Sequence, residues 1–90
     1  MTSGPAGATR ATVNVTVRYW ASARATAGRD SERFVGRRVG DVLTAAAAAH
    51  TGLSVVLDVS TILLDGRVVT VTEPLSEGAT LEVLPPFAGG

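Results

Sequence analysis

The part of the chain with the clearest chemical potential is its C-terminal sequence, Leu84-Pro85-Pro86-Phe87-Ala88-Gly89-Gly90. The reactive group offered there is the α-carboxylate of Gly90. Because glycine has no Cβ and tolerates φ of either sign, such an end can enter a channel too narrow for any side chain. The paired prolines fix φ and favour extended backbone. We therefore expect a stiff base followed by a few free residues.

Nothing on the chain beside this carboxylate could activate it. Glu82 is the last ionisable side chain, and no hydroxyl or thiol follows it. The neighbouring residues therefore supply no acid, base or nucleophile for chemistry at Gly90. A carboxylate is a poor electrophile, and its usual activation is by ATP, as an acyl-adenylate that a nucleophile then attacks. We predict a substrate or carrier without catalytic residues, activated by a partner.

Composition excludes several classes of function. Ninety residues form one domain with a modest core. The absence of cysteine excludes a disulfide framework, a thiolate nucleophile and a cysteine metal site, and His50 alone cannot bind a metal. Eight arginines balance eight acidic residues, which argues against nucleic acid or an anionic membrane as the main partner. Without lysine, the chain cannot accept an isopeptide bond on a side chain.

The chain divides into three parts. Residues 1–11 are rich in Gly, Ala, Ser and Thr, do not form a signal peptide, and are expected to be a disordered tail. Residues 12–84 should form the folded domain, and residues 85–90 an extended tail. The longest purely apolar run, residues 45–49, is too short to span a membrane. A cytoplasmic location is expected.

The first third of the chain shows alternating hydrophobicity. The apolar positions of a predicted half-buried strand are Val13, Val15, Val17 and Tyr19. Trp20 falls on the opposite, outward face. Gly28 lies within a predicted turn at residues 25–30, which leads to a weaker strand at residues 32–36 and so to a hairpin.

One helix is clearly indicated. Its apolar positions recur at helical spacing, at Val39, Val42, Leu43, Ala46, Ala47 and His50. Gly52 is well placed to end it and Asp41 suits its first turn, but Arg38 is a poor N-cap. Residues 53–60 are apolar without a clear period, which leaves a connection or a short helix open.

The last third predicts three strands. Asp65-Gly66 accepts the positive φ of a type I′ turn between residues 62–64 and 68–71. Residues 73–78 form a turn region, and residues 80–84 alternate again, with Leu81 and Val83 on one face. The order is ββαβββ, an α+β domain with one main helix packed on one face of a mixed sheet. These patterns leave the strand order open.

Four segments are similar to one family: VRYWASARATAG (residues 17–28), VGDVL (39–43), LSEG (75–78) and LPPFAGG (84–90). They resemble MoaD, the family of small, ubiquitin-like sulfur-carrying subunits of molybdopterin synthase. The Pro-Pro-x-x-Gly-Gly ending is the most specific part, since other sulfur carriers share Gly-Gly but usually not the prolines. Ala79 and the Asp65-Gly66 turn depart from the family pattern.

The resemblance implies a β-grasp fold, with the first and last strands parallel in the middle of the sheet. It also implies that an E1-like adenylyltransferase (MoeB-like) uses ATP and Mg²⁺ to adenylate Gly90, that a persulfide donor supplies sulfur, and that no cofactor stays bound. The resulting thiocarboxylate would donate sulfur to cyclic pyranopterin monophosphate within the large synthase subunit (MoaE-like), in a heterotetramer. The residues implied to thread into that subunit are Pro85, Pro86, Phe87, Ala88 and Gly89.

By the same resemblance, Trp20, Val68 and Leu84 would form an apolar docking patch on the sheet face opposite the helix. Three alternatives remain open: a carrier for thiamine, cysteine or tRNA thiolation, a ubiquitin-like protein modifier, and an inert β-grasp interaction module. His50 is interpreted as a surface or core-edge residue. The arginines form a solvated surface from which a few could steer an acidic partner, namely Arg18, Arg24 and Arg67.

Overall fold

The computed structural model describes residues 12–86, so the tail predicted at residues 1–11 and the last four residues of the tail predicted at 85–90 lie outside the described residues. It contains β1 (Val13–Tyr19), α1 (Ala21–Ala27), β2 (Ser31–Gly36), α2 (Val39–Ala49), α3 (Leu53–Asp58), β3 (Thr61–Leu64), β4 (Arg67–Val68) and β5 (Ala79–Leu84). None of the helices in this part of the chain is long and apolar enough to cross a membrane.

The five strands form one mixed sheet in the order β2-β1-β5-β3-β4. Its two most distant strands in sequence, β1 and β5, are parallel neighbours near the centre, and Val17 lies opposite Leu81. The other three pairs are antiparallel. A parallel pair needs a long crossover, which here carries all three helices. The predicted α+β, β-grasp arrangement is confirmed.

The core lies between one face of the sheet and the helices. The inward positions predicted for the first and last strands are buried, including Val15, Val17, Tyr19, Leu81 and Val83. The apolar positions of α2 pack against them, with Val39, Val42, Leu43 and Ala46 buried. Trp20, directly after the buried Tyr19, is 38% exposed, as its outward position predicts.

The predicted turn at residues 25–30 is only partly correct, because α1 occupies its first three residues and the chain turns only at residues 28–30. Gly28 ends this helix with φ +75°, and its N–H donates to the carbonyl of Arg24 at 2.8 Å. The segment ASARATA has high helix propensity, but alanine adds little hydrophobic contrast and only Ala23 is buried. β1 and β2 are antiparallel neighbours, joined by a helix where a turn was expected. With α3 at Leu53–Asp58, the order is βαβααβββ and not ββαβββ.

The helix α2 begins without a capping side chain at Arg38. The carboxylate of Asp41 in the first turn accepts hydrogen bonds from the backbone N–H groups of Arg38, at 3.0 Å, and Arg37, at 3.1 Å. These two bonds hold the pKa of the Asp41 carboxyl below its usual range. Asp41 therefore satisfies two backbone donors just before the helix, whereas the N–H groups of Val39 and Gly40 donate to the carbonyls of Glu73 and Val71.

The predicted hairpin near residue 65 is shorter than expected. Asp65 and Gly66 have φ of +48° and +87°, as the predicted turn requires, but β4 ends at Val68. The chain then passes the start of α2, where the N–H of Gly40 donates to the carbonyl of Val71 at 2.9 Å. A Cβ on Gly40 would lie 3.2 Å from that oxygen. The backbone at Val71 is thus bonded to the start of α2 and not to β3.

A cluster around Glu32 fastens the end of α2 to the sheet. His50 Nε2 lies 2.6 Å from Glu32 Oε1, and the Tyr19 hydroxyl donates to the same oxygen at 2.9 Å. Arg29 donates to the other oxygen at 3.0 Å. Burial alone would raise the pKa of Glu32, but the hydrogen bonds from His50, Tyr19 and Arg29 outweigh it and lower the pKa. His50 is thus a core-edge residue, as interpreted from the sequence.

The Glu32 cluster should make stability depend on acid pH. Since the folded-state pKa of Glu32 lies below its ordinary 4.5, the carboxylate stabilises the fold fully above that pH and loses this effect as pH falls through the folded pKa. The thermal unfolding midpoint should therefore fall more steeply between about pH 6 and pH 3 in the native chain than in Glu32→Gln. Glu73→Gln, at an exposed ion pair, is the control and should follow the native chain. Parallel curves for the native chain and Glu32→Gln would contradict this assignment.

Tyr19 and Trp20 point to opposite faces of the sheet, and substitution of each in turn tests this assignment. Tyr19 is 2% exposed and Trp20 is 38% exposed, although they are neighbours. Tyr19→Ala should lower the free energy of unfolding by at least about 3 kcal/mol through a core cavity. Trp20→Ala should cost only about 1 kcal/mol, because the ring lies on the surface. Denaturant unfolding measures both, and equal losses would place Trp20 in the core.

Candidate functional site

The C-terminal tail begins directly after the central strand β5. Along β5 the side chains alternate, with Leu81 and Val83 inward. Pro85 continues this alternation and is buried, whereas Pro86 is exposed. Of the predicted threading residues, Pro85 is therefore fixed in the body of the domain. Phe87, Ala88, Gly89 and Gly90 lie outside the described residues.

Trp20 lies beside the end of β5, where the tail starts. Its backbone N–H donates to the carbonyl of Val83 at 3.2 Å. The next residue, Ala21, has φ +48°, a left-handed conformation that costs a residue with a Cβ about 1 kcal/mol. This bend takes the chain from β1 into α1 immediately after Trp20.

Two side chains hold the indole ring. Its Nε1–H donates to Glu82 Oε2 at 3.2 Å. The guanidinium carbon of Arg18 lies 4.9 Å from the ring centroid, within the range of a cation–π contact. Glu82 lies opposite Arg18 in the parallel β1–β5 register. The ring therefore covers the outward face of the two central strands.

The predicted docking residues share the sheet face opposite the helices. Across this face, Glu82 lies opposite Leu63, and Leu63 opposite Val68. Val68 is 72% exposed, and Leu84 is half-buried on the same side as Glu82. The structure thus brings Trp20, Val68 and Leu84 onto one face, and their role in docking stays a prediction.

The three arginines considered for steering differ in their surroundings. Arg24 pairs with Asp30 at 3.3 Å, and Arg67 pairs with Glu73 at 3.5 Å. Arg18 takes part in none of the ion pairs formed among residues 12–86. Its charge, next to Trp20, is the one of the three that remains available to a partner. The contact from Glu82 was missed in the sequence, since it depends on which strands pair.

Side chains for metal binding are not grouped in the described structure. Across residues 12–86, no three His, Cys, Asp or Glu side chains come together in a way that could hold a metal ion. The arrangement on the open sheet face instead suits contact with another surface: an exposed aromatic ring, aliphatic side chains, and Arg18 next to the ring, which joins none of the ion pairs among residues 12–86.

Comparison with known proteins places these features in a family. The ThiS family model matches residues 17–90, and no curated protein sequence matches the chain. Among solved structures, small archaeal modifier protein 1 (SAMP1) from Methanosarcina acetivorans is 23% identical, with a TM-score of 0.80 over 88% of this chain and 98% of SAMP1.

Two further structures carry names from molybdopterin synthesis. A putative molybdopterin converting factor, subunit 1, from Pyrococcus furiosus is 30% identical, with a TM-score of 0.75 over 83% of this chain and 99% of that protein. A complex of subunits 1 and 2 of molybdopterin-converting factor from Helicobacter pylori contains a chain 24% identical, with a TM-score of 0.66 over 87% of this chain and 100% of its own length.

The matched region includes the last three residues of β1, the predicted docking residues and the Gly-Gly end. The similar structures include both a protein named as a modifier and subunits of molybdopterin-converting factors. The family that they support is therefore broader than MoaD alone. Together with the parallel β1–β5 centre and the helices on one face, the family match settles the classification: the chain belongs to the ThiS family of small, non-catalytic, ubiquitin-like sulfur carriers.

Proposed function

We propose that this chain is the sulfur carrier of molybdenum cofactor biosynthesis, with Gly90 as the carrier residue. The observation that supports it most is the construction of the tail: Pro85 is buried at the end of β5, Pro86 is exposed, and Gly89-Gly90 ends the sequence. The similarity to the Pyrococcus furiosus protein, at 30% identity, supports the molybdopterin pathway in particular.

The reaction needs three partners. With ATP and Mg²⁺, an E1-like adenylyltransferase joins a carboxylate oxygen of Gly90 to the α-phosphorus and releases pyrophosphate. The terminal sulfur of a persulfide then displaces AMP, and a thiol cleaves the resulting acyl disulfide to leave a thiocarboxylate. In the large synthase subunit, this sulfur is transferred to cyclic pyranopterin monophosphate. All of these steps would take place in the cytoplasm.

The chain's own residues would bind the partner proteins and orient the tail. Pro85 fixes the point at which the tail leaves the domain. Trp20, Val68 and Leu84 form the surface on which both the activating enzyme and the large subunit would dock. The Helicobacter pylori structure, a complex of subunits 1 and 2, supports a partner of this kind. We expect two copies of each subunit in the assembled synthase.

The chemical test is a mass measurement. Incubation with the adenylyltransferase, ATP, Mg²⁺ and a persulfide donor should raise the mass of the C-terminal peptide by about 16 Da, because sulfur replaces one oxygen. Adding the large subunit and the pterin precursor should reverse the shift. Oxidation of Met1 adds nearly the same mass, so the shift has to be located in the C-terminal peptide.

Deletion of Gly89 and Gly90 is the control for the mass test. The shortened chain should unfold at nearly the same temperature, because the last described strand ends at Leu84. It should gain no sulfur. A thiocarboxylate that forms but is not discharged by the pterin precursor would favour a carrier for thiamine, cysteine or tRNA thiolation. A C-terminal peptide that stays unmodified would favour the inert interaction module.

A second candidate function, protein modification, is favoured by the fold similarity to SAMP1, with a TM-score of 0.80. In that case a lysine amine of another protein would attack the Gly90 acyl-adenylate, forming an amide and releasing AMP. The carrier and the modifier share activation and differ in the nucleophile that follows.

The absence of lysine makes a specific prediction for this second function. Since no side chain of this chain can accept the amide bond, each modified site should carry one copy, a step of 9.2 kDa. Immunoblots of cell extracts should show single steps, and peptide sequencing should place Gly90 on lysines of other proteins. A branched peptide that joins Gly90 to a side chain of another copy would contradict it. Loss of every adduct in the chain shortened by two residues is the control.

A further inference from the structure

The single tryptophan is held in place before any partner arrives. Glu82 accepts its indole N–H at 3.2 Å, and the guanidinium of Arg18 lies 4.9 Å from the ring centroid. An aromatic side chain that is already ordered loses less rotamer freedom on binding. The structure therefore presents Trp20 as a pre-arranged anchor.

The contact with Glu82 determines what kind of pocket can receive the ring. Because the indole N–H is already bonded, a partner needs no hydrogen-bond acceptor for it. What remains exposed is the carbon surface of the ring, on the sheet face that also carries Leu84 and the row from Glu82 through Leu63 to Val68. A pocket that fits this surface is apolar.

Arg18 adds a charge requirement to this pocket. A cation–π contact uses the face of the guanidinium and leaves its N–H groups in the plane free to donate. Arg24 and Arg67 each have a carboxylate within 3.5 Å, but Arg18 forms no ion pair among residues 12–86. The group that complements a guanidinium best is a carboxylate, bound through two parallel hydrogen bonds.

We propose that Trp20 and Arg18 form one docking element for a partner protein with an apolar pocket flanked by a carboxylate, and that Glu82 positions the indole ring for it. Trp20 donates its backbone N–H to Val83, near the end of β5, so docking here would direct the tail that follows β5 toward the partner's active site. The inference rests on the proposed function in one respect, which is that the activating enzyme is such a partner.

The test uses ATP–pyrophosphate exchange by the cognate adenylyltransferase, with the full-length chain as the varied substrate. Arg18→Glu should raise KM for the chain at least about tenfold and leave kcat unchanged, because it sets two negative charges against each other at the interface. Trp20→Ala should raise KM by a similar factor. The reaction centre at Gly90 is untouched in both variants.

Arg37→Glu is the matched control. It makes the same change in net charge at another exposed arginine, next to Gly36, which pairs with the end of β1 farthest from Trp20. Its KM should stay within about twofold of the native value, because charges beyond roughly 10 Å are screened at physiological salt. An equal rise in both variants would assign the effect to net charge and overturn the inference.

The role of Glu82 has its own readout. Glu82→Gln keeps an acceptor for the indole N–H and should leave KM within about twofold, whereas Glu82→Leu should raise it several-fold. The fluorescence and near-ultraviolet circular dichroism of the single tryptophan should change in Glu82→Leu and stay close to native in Glu82→Gln. An unchanged tryptophan signal in Glu82→Leu would show that Glu82 does not position the ring.

The outcomes separate this inference from the proposed function. Exchange by the native chain with an unchanged KM for Arg18→Glu would overturn the docking element and leave carrier activation standing. A rise in KM for Arg18→Glu without any sulfur transfer to the pterin precursor would uphold the docking element and overturn the molybdopterin assignment. No exchange by the native chain would overturn both.

Discussion

The parallel pairing of β1 with β5 is the constraint on which the rest of the structure depends. It joins segments from opposite ends of the described chain, with Val15 opposite Ala79 and Tyr19 opposite Val83. A parallel pair cannot be closed by a tight turn, so the intervening chain has to cross the sheet. Its helices cover one face and leave the other open. This one pairing therefore sets the core, the open face and the point at which the tail leaves.

Because β5 is central in the sheet, its side chains alternate between two roles. Those on one face pack in the core, and those on the other face lie on the open surface. Its inward side chains, Leu81 and Val83, are fully buried in the core. Glu82, on the opposite side, holds the Trp20 ring through the indole N–H. Directly after the strand, Pro85 is buried as the last inward position and Pro86 is exposed. A movement of the tail base would disturb the core, so the start of the tail is as well defined as the strand itself.

Local patterns in the sequence predicted those elements that have strong hydrophobic contrast. The alternation of β1, the helical spacing of α2 and the Asp65-Gly66 turn were read correctly. The helix α1 was missed because an alanine-rich helix that buries only Ala23 leaves no apolar period. Strand order is non-local and came from the family resemblance. For the same reason, the outward position of Trp20 could be read, but its contact with Glu82 could not.

The composition of the chain fits a protein that carries an activated acyl group. An acyl-adenylate reacts with any available thiol or amine, and this chain has neither cysteine nor lysine. Its single imidazole and its single phenol are both engaged by Glu32. No side chain therefore offers a thiol or an amine, and under either proposed function a partner would supply the nucleophile: a persulfide for a carrier, or a lysine for a modifier. Since the Gly-Gly end is compatible with both, the two functions differ only in the partner that binds, and we expect the surface around Trp20 and Arg18 to select it.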